Sequence, residues 1–138
     1  MNSRKKIHLF IYLLRMDLIT NQSSREDVLL SVKDDGLMLE HASAELKNDR
    51  EIVISAINSC EVALKFASEE LKNDREVVLE AIKQDGDSLS FASDELKDDR
   101  EIVLAAVKEN GSALLHASYE LRTDREIILA AWNQRGQL

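Results

Sequence analysis

The sequence predicts an all-α fold, an α-solenoid of stacked helix-turn-helix repeats with an N-terminal capping helix. Three observations carry that expectation. Asp49-Arg50-Glu51, Asp74-Arg75-Glu76, Asp99-Arg100-Glu101 and Asp124-Arg125-Glu126 recur at a fixed interval of 25 residues, and Ser24-Arg25-Glu26 is a degenerate further copy. A constant interval of that size marks an array whose units bury their apolar faces against one another. The composition favours helix, with no proline, four glycines and abundant Ala, Leu, Glu and Lys. Only 4% of residues are aromatic while 44% are hydrophobic, so the core must be built from Leu, Ile, Val and Ala.

The elements follow in order. Residues 1–22 hold a capping helix running from about Arg4 to Thr20. Its apolar positions Ile7, Phe10, Ile11, Leu14, Leu18 and Ile19 fall at helical spacings, widened by Leu9 and Leu13. Such a helix does not stand alone in water, and its expected place is over the open end of the first repeat. The alternative is a membrane-surface helix, suggested by the basic start Arg4-Lys5-Lys6. The same start resembles a secretory signal. His8, Arg15 and Asp17 break that pattern, so the segment is expected to be retained. The apolar run is too short to span a bilayer.

Residues 23–138 form the repeat domain, divided as 23–47, 48–72, 73–97, 98–122 and a half unit 123–138. Each unit is expected to open on a capping box: Ser23 with Glu26, Asn48 with Glu51, Asn73 with Glu76, Asp98 with Glu101, and Thr123 with Glu126. The first helix of each unit carries apolar residues on most of its circumference, as in Ile52, Val53, Ile54, Ala56 and Ile57. It is expected to end where Gly36, Gly86, Gly111 and Gly136 adopt left-handed geometry, with Glu61 in place of glycine in the second unit. A second helix of about ten residues spans Leu37–Leu46, Val62–Leu71, Asp87–Leu96 and Ser112–Leu121, its Leu-Ala-Leu trio on one face. The serine column Ser43, Ser68, Ser93 and Ser118 is read as small residues that let helices approach.

The run Leu71-Lys-Asn-Asp-Arg-Glu-Val-Val-Leu79 followed by Ala81-Ile-Lys-Gln-Asp-Gly86 resembles the short tandem helical repeats of the domain of unknown function 4116 type. The resemblance covers Ser23 to Gly136. It implies an all-helical array and supplies no activity, cofactor or catalytic residue. Ser24, Asp27 and Glu61 depart from the pattern.

Net charge is −8, and the repeats carry no cationic footprint for a phosphate backbone, which argues against nucleic acid as a partner. The single Cys60 excludes an internal disulfide and fits a reducing compartment such as the cytoplasm. No phosphate loop, nucleophile elbow, calcium loop or zinc motif stands in the sequence, so neither an enzyme nor a cofactor is expected. Arg50, Arg75, Arg100 and Arg125, with Glu51, Glu76, Glu101 and Glu126, are expected to join neighbouring units, since every unit repeats them. The column Glu45, Glu70, Glu95 and Glu120 is to hand for those arginines.

His41, Phe66, Phe91 and His116 form one column, which either lines a surface or packs half-buried. At the C-terminal end Leu115 and Tyr119, on either side of His116, replace polar residues such as Ser90 and Asp94, and Trp132 occupies the core column of Val32, Ile57, Ile82 and Val107. Trp132 and Tyr119 are read as sealing the open end. A docking face, for a second copy or for more of the array, is the alternative.

The expected function is a non-catalytic protein-protein interaction module. It offers an extended surface to a protein or peptide, with Leu115, His116, Tyr119, Trp132, His41, Phe66 and Phe91 as candidate contacts. The alternative is a structural spacer or oligomerisation segment, self-associating through the half unit.

Overall fold

The computed structural model describes residues 2–18 and 24–135, all helical or connecting, with no strand among them. A first helix, α1, spans Ser3–Leu18. The first helices of the units then begin one interval apart: α2 (Arg25–Asp34), α3 (Arg50–Ser59), α5 (Arg75–Gln84), α7 (Arg100–Glu109) and α9 (Arg125–Arg135). Between them lie the one-turn helices α4 (Glu69–Lys72), α6 (Asp94–Lys97) and α8 (Tyr119–Arg122). Each of α2, α3, α5 and α7 packs on the next first helix in the chain, and the intervening segments stack in the same order. The core is therefore one continuous column of Val, Ile, Leu and Ala side chains running through all units.

Why each first helix starts where it does differs from the capping-box expectation. The cap is the aspartate of the Asp-Arg-Glu motif, one residue later than Asn48, Asn73, Asp98 or Thr123. Asp49 accepts from the Ile52 amide at 3.1 Å, and Asp74 accepts from the amides of Glu76 and Val77. Asp99 and Asp124 repeat that pair of bonds. In the degenerate unit Ser24 does the same for Asp27, while Ser23 lies outside the described residues. The shift places the glutamate in the first helical turn, where it faces the neighbouring unit and is free to pair with that unit's arginine. A capped first turn carrying acid also suits the positive end of the helix dipole.

The second helix is not continuous. A 3-10 segment runs over Gly36–His41, Glu61–Phe66, Gly86–Phe91 and Gly111–His116. The chain then turns extended at Ala42, Ala67, Ala92 and Ala117 before the next turn begins. The serine column causes the break. Ser68, Ser93 and Ser118 cap α4, α6 and α8 through the amides of Leu71, Leu96 and Leu121. Their own backbone N–H groups donate to the carbonyls of Lys47, Lys72 and Lys97 in the preceding unit. An amide used across units is lost to its own helix, so the segment divides.

The glycines also act differently from the expectation. None of the described glycines has a positive φ. Each instead opens a 3-10 segment pressed against the following unit's first helix. A Cβ on Gly36 would sit 2.2 Å from the Ala56 carbonyl oxygen, and one on Gly86 would sit 2.3 Å from that of Ala106. Gly111 meets Ala131 the same way, and Gly136 lies outside the described residues. The residue is needed for close approach of two backbones, not for a turn. In the second unit Glu61 opens the segment, and Cys60 gives it no side-chain cap, unlike Asp35, Asp85 and Asn110.

At the N-terminus α1 forms as expected but leaves its stripe open. Ile7, Leu9, Phe10, Ile11, Leu13 and Leu14 are all exposed, Phe10 by 63%. Although α1 touches α2, these side chains do not bury against the repeat end. Polar Asp27 stands there in place of the buried apolar residues Ile52, Val77 and Ile102. Ile19 and Thr20 lie outside the described residues.

Candidate functional site

The Asp-Arg-Glu motif builds a ladder along one edge of the stack. Arg25 donates to Asp49 at 2.6 Å through Nε and to Glu51 at 2.6 Å through Nη2, both in the following unit. Arg50 reaches Asp74 (3.2 Å) and Glu76, and Arg75 reaches Asp99 and Glu101. Arg100 bonds Glu126, with Asp124 at 3.7 Å. Each arginine thus clamps two carboxylates at the start of the next helix, and the planar guanidinium suits that fork.

The glutamate column expected to serve these arginines is used otherwise. Glu70 and Glu95 accept from the side-chain amides of Asn48 and Asn73. The oxygens of Asn48 and Asn73 in turn accept from Ser68 and Ser93. The hydrogen bonds of Arg25 raise its own pKa and hold Asp49 below the usual carboxylate range. Burial alone would push Asp99 up, but the Ile102 amide and the Arg75 guanidinium together bring it below that range.

A second surface lies between the first helices. Ile54, Leu79 and Leu104, among the apolar residues on the first helices, are only partly buried. On an α-helix Ile54 sits about 60° beyond Ile57, past the edge of the buried stripe of Ile52, Val53, Ala56 and Ile57. The consequence is a row of depressions at three successive junctions. A cavity of about 390 Å³ between α3 and α5 is lined by Arg50, Ile54, Glu76, Leu79, Glu80 and Lys83. The next, about 400 Å³ between α5 and α7, shares Leu79 and Lys83 and adds Glu101, Leu104 and Lys108. A smaller, polar one lies between α2 and α3 at Lys33, Ser55, Asn58 and Ser59. The sequence signal for this row was available. Three successive apolar residues, such as Ile52-Val53-Ile54, cannot all face one side of a helix.

The candidate contacts named from sequence do not form a single site. His41, Phe66, Phe91 and His116 are half-buried, one per unit, with Phe66 and Phe91 packed against the core. Lys65 lies 5.7 Å from the Phe66 ring centre, and His116 Nε2 is 3.7 Å from Asp87 of the preceding unit. At the C-terminal end Leu115 and Tyr119 are each 70% exposed. Trp132 is 73% exposed, whereas Val107 in the same column is fully buried. The sealing role is therefore not filled by Trp132 or Tyr119, since among the described residues nothing packs over either side chain. Among the described residues no group of three His, Cys, Asp or Glu is placed to hold a metal ion. No helix among them is long and apolar enough to cross a membrane.

A stack of near-identical helical units, tied to one another by side chains of fixed interval, is the construction of a tandem helical-repeat protein. The family model described as a domain of unknown function (DUF4116) matches residues 24–61, 49–97 and 99–137. The chain belongs to that family. No curated protein and no solved structure matches it.

Proposed function

We propose that the array is a non-catalytic protein-interaction module that holds an extended segment of a partner protein along the row of depressions between first helices. The observation that carries this reading is the sharing of Leu79 and Lys83 by two successive cavities, which makes the row continuous with a period of one unit. Packed helices lie ~8–10 Å apart, and three residues of polyproline II rise about 9 Å. An extended segment with an apolar side chain at every third position places one in each depression. The rims carry both signs, with Arg50, Lys83 and Lys108 beside Glu76, Glu80 and Glu101, which suits a partner of mixed charge over nucleic acid. Spread over every unit, such a surface suits recognition better than a reaction centre does. The compartment that fits is a reducing one such as the cytoplasm, since Cys60 is free.

The test is selection of peptides from a random display library against the purified chain, followed by titration of the selected peptides on Leu79→Ser and Leu104→Ser variants. Loss of one apolar contact is expected to weaken binding about tenfold per substitution. A library that yields no binder, or binders indifferent to both substitutions in folded protein, overturns the reading.

A further inference from the structure

The two ends of the ladder are complementary. Among the described residues Arg125 has no carboxylate partner, although Arg25, Arg50, Arg75 and Arg100 each have two in the following unit. At the opposite end Glu26 and Asp27 have no basic partner among the described residues. Ser24 donates to Asp27 at 2.8 Å and holds that carboxylate beside the helix start, where Asp49 and Asp74 stand in later units. One end of the chain offers an open guanidinium and the other offers open carboxylates.

The apolar side chains at the two ends match in the same register. At the α5–α7 junction Leu79 and Ile82 of one helix share a depression with Glu101, Leu104 and Ala105 of the next. Shifted by whole units, those positions are Leu129 and Trp132 at one end of the molecule, and Glu26, Leu29 and Leu30 at the other. Leu129, Trp132 and Leu30 are all exposed, Leu30 by 69%. Exposure of Leu30, Glu26 and Asp27 also means that α1 leaves this face open.

We propose that copies of this chain associate head to tail, the α9 face of one copy receiving the α2 face of the next. Arg125 pairs with Glu26 as each internal arginine pairs with the glutamate one unit on. Trp132 and Leu129 pack against Leu30, and the indole N–H of Trp132 supplies a donor for Asp27, a polar residue in an otherwise buried column. A symmetric pairing of two α9 faces would instead bring Arg125 towards its own counterpart. The heterologous contact does not close on itself, so the assembly is a chain of copies whose length grows with concentration. It stands independently of the reading of the depressions, which needs only a single copy.

Sedimentation velocity over rising protein concentration tests the proposal, with the emission of Trp132, the sole tryptophan, as a second readout. The weight-average mass is expected to climb above the 15.6 kDa of one chain while the emission moves to the blue as the ring is covered. Arg125→Glu and Glu26→Arg each place like charges at the contact between identical copies. Each variant alone is expected to stay monomeric, and an equimolar mixture to regain association with the two variants alternating, because the native pair forms at one contact and its charge-reversed counterpart at the next. Circular dichroism checks that both remain folded, which is expected because both positions are exposed and unpaired. A wild-type chain that stays monomeric with exposed Trp132 emission overturns the proposal. So does a Glu26→Arg variant that associates like the wild type, or a mixture that behaves as the sum of its components.

Discussion

At the residue scale the ladder arginines and their carboxylates explain both the motif and its direction. Asp49 has two duties, capping α3 through the Ile52 amide and accepting the Arg25 guanidinium. Asparagine caps a helix about as well as aspartate, so Asp49→Asn isolates the charge. The folded-state pKa of Asp49 is depressed, chiefly by the bond from Arg25. Its contribution to stability is therefore full above the ordinary aspartate value of ~3.9 and is lost as the pH falls through the depressed value. Urea unfolding of wild type and Asp49→Asn is expected to differ near neutral pH and to converge in strong acid. The difference is expected to be small and reduced by salt, because the pair is partly exposed. Curves that stay parallel at every pH would remove the ion pair from the account.

At the element scale the informative feature is the broken second helix. A serine whose side chain caps the following turn, and whose amide is spent on the preceding unit, converts one expected helix into a 3-10 segment and a short turn. The 3-10 segment brings its glycine against the next helix, and there size decides stability. Gly86→Ala is predicted to destabilise the protein by about 1–3 kcal/mol, the usual cost of overpacking a tight contact. That outcome has the opposite sign to the gain of about 0.4–1 kcal/mol expected where alanine fits without strain. The added Cβ would meet the Ala106 carbonyl and the Asn110 amide, both backbone atoms that cannot swing aside. Thermal unfolding of the single variant decides the matter, and a raised midpoint would mean that the two backbones separate at no cost.

For the whole molecule, the fixed interval implies that the stack is divisible in whole units. Deleting residues 73–97 joins Lys72 to Asp98, so Arg50 meets Asp99 and Glu101 as it met Asp74 and Glu76. The shortened chain is expected to fold and unfold cooperatively, with a urea m-value lower by roughly a fifth in proportion to the buried surface removed. Deleting residues 74–97 instead takes out one residue fewer and puts the contacts across the new junction, such as those of Arg50 with Asp99 and Glu101, out of step by one residue. That variant is predicted to lose its sharp transition, read by circular dichroism against urea. Equal behaviour of the two deletions would show that the units do not depend on shared register. The same dependence on neighbours shows in Trp132, which stands in a core column and is exposed where no described residue covers it.

Much of this protein is legible in one dimension because its contacts reach only one unit along the chain. The interval of 25 residues, the all-helical class and the apolar columns follow from repetition, and repetition also marked the arginines as joints between units. Three things were left to the tertiary structure. Which residue caps each helix depends on a shift of one position, and asparagine and aspartate are near-equal candidates until the neighbouring arginine claims a glutamate. The role of the glycines depends on how near the next backbone comes, a distance between units on which local conformation is silent. The open ends and the row of depressions depend on what covers each column, so the same position is core in one unit and surface in another.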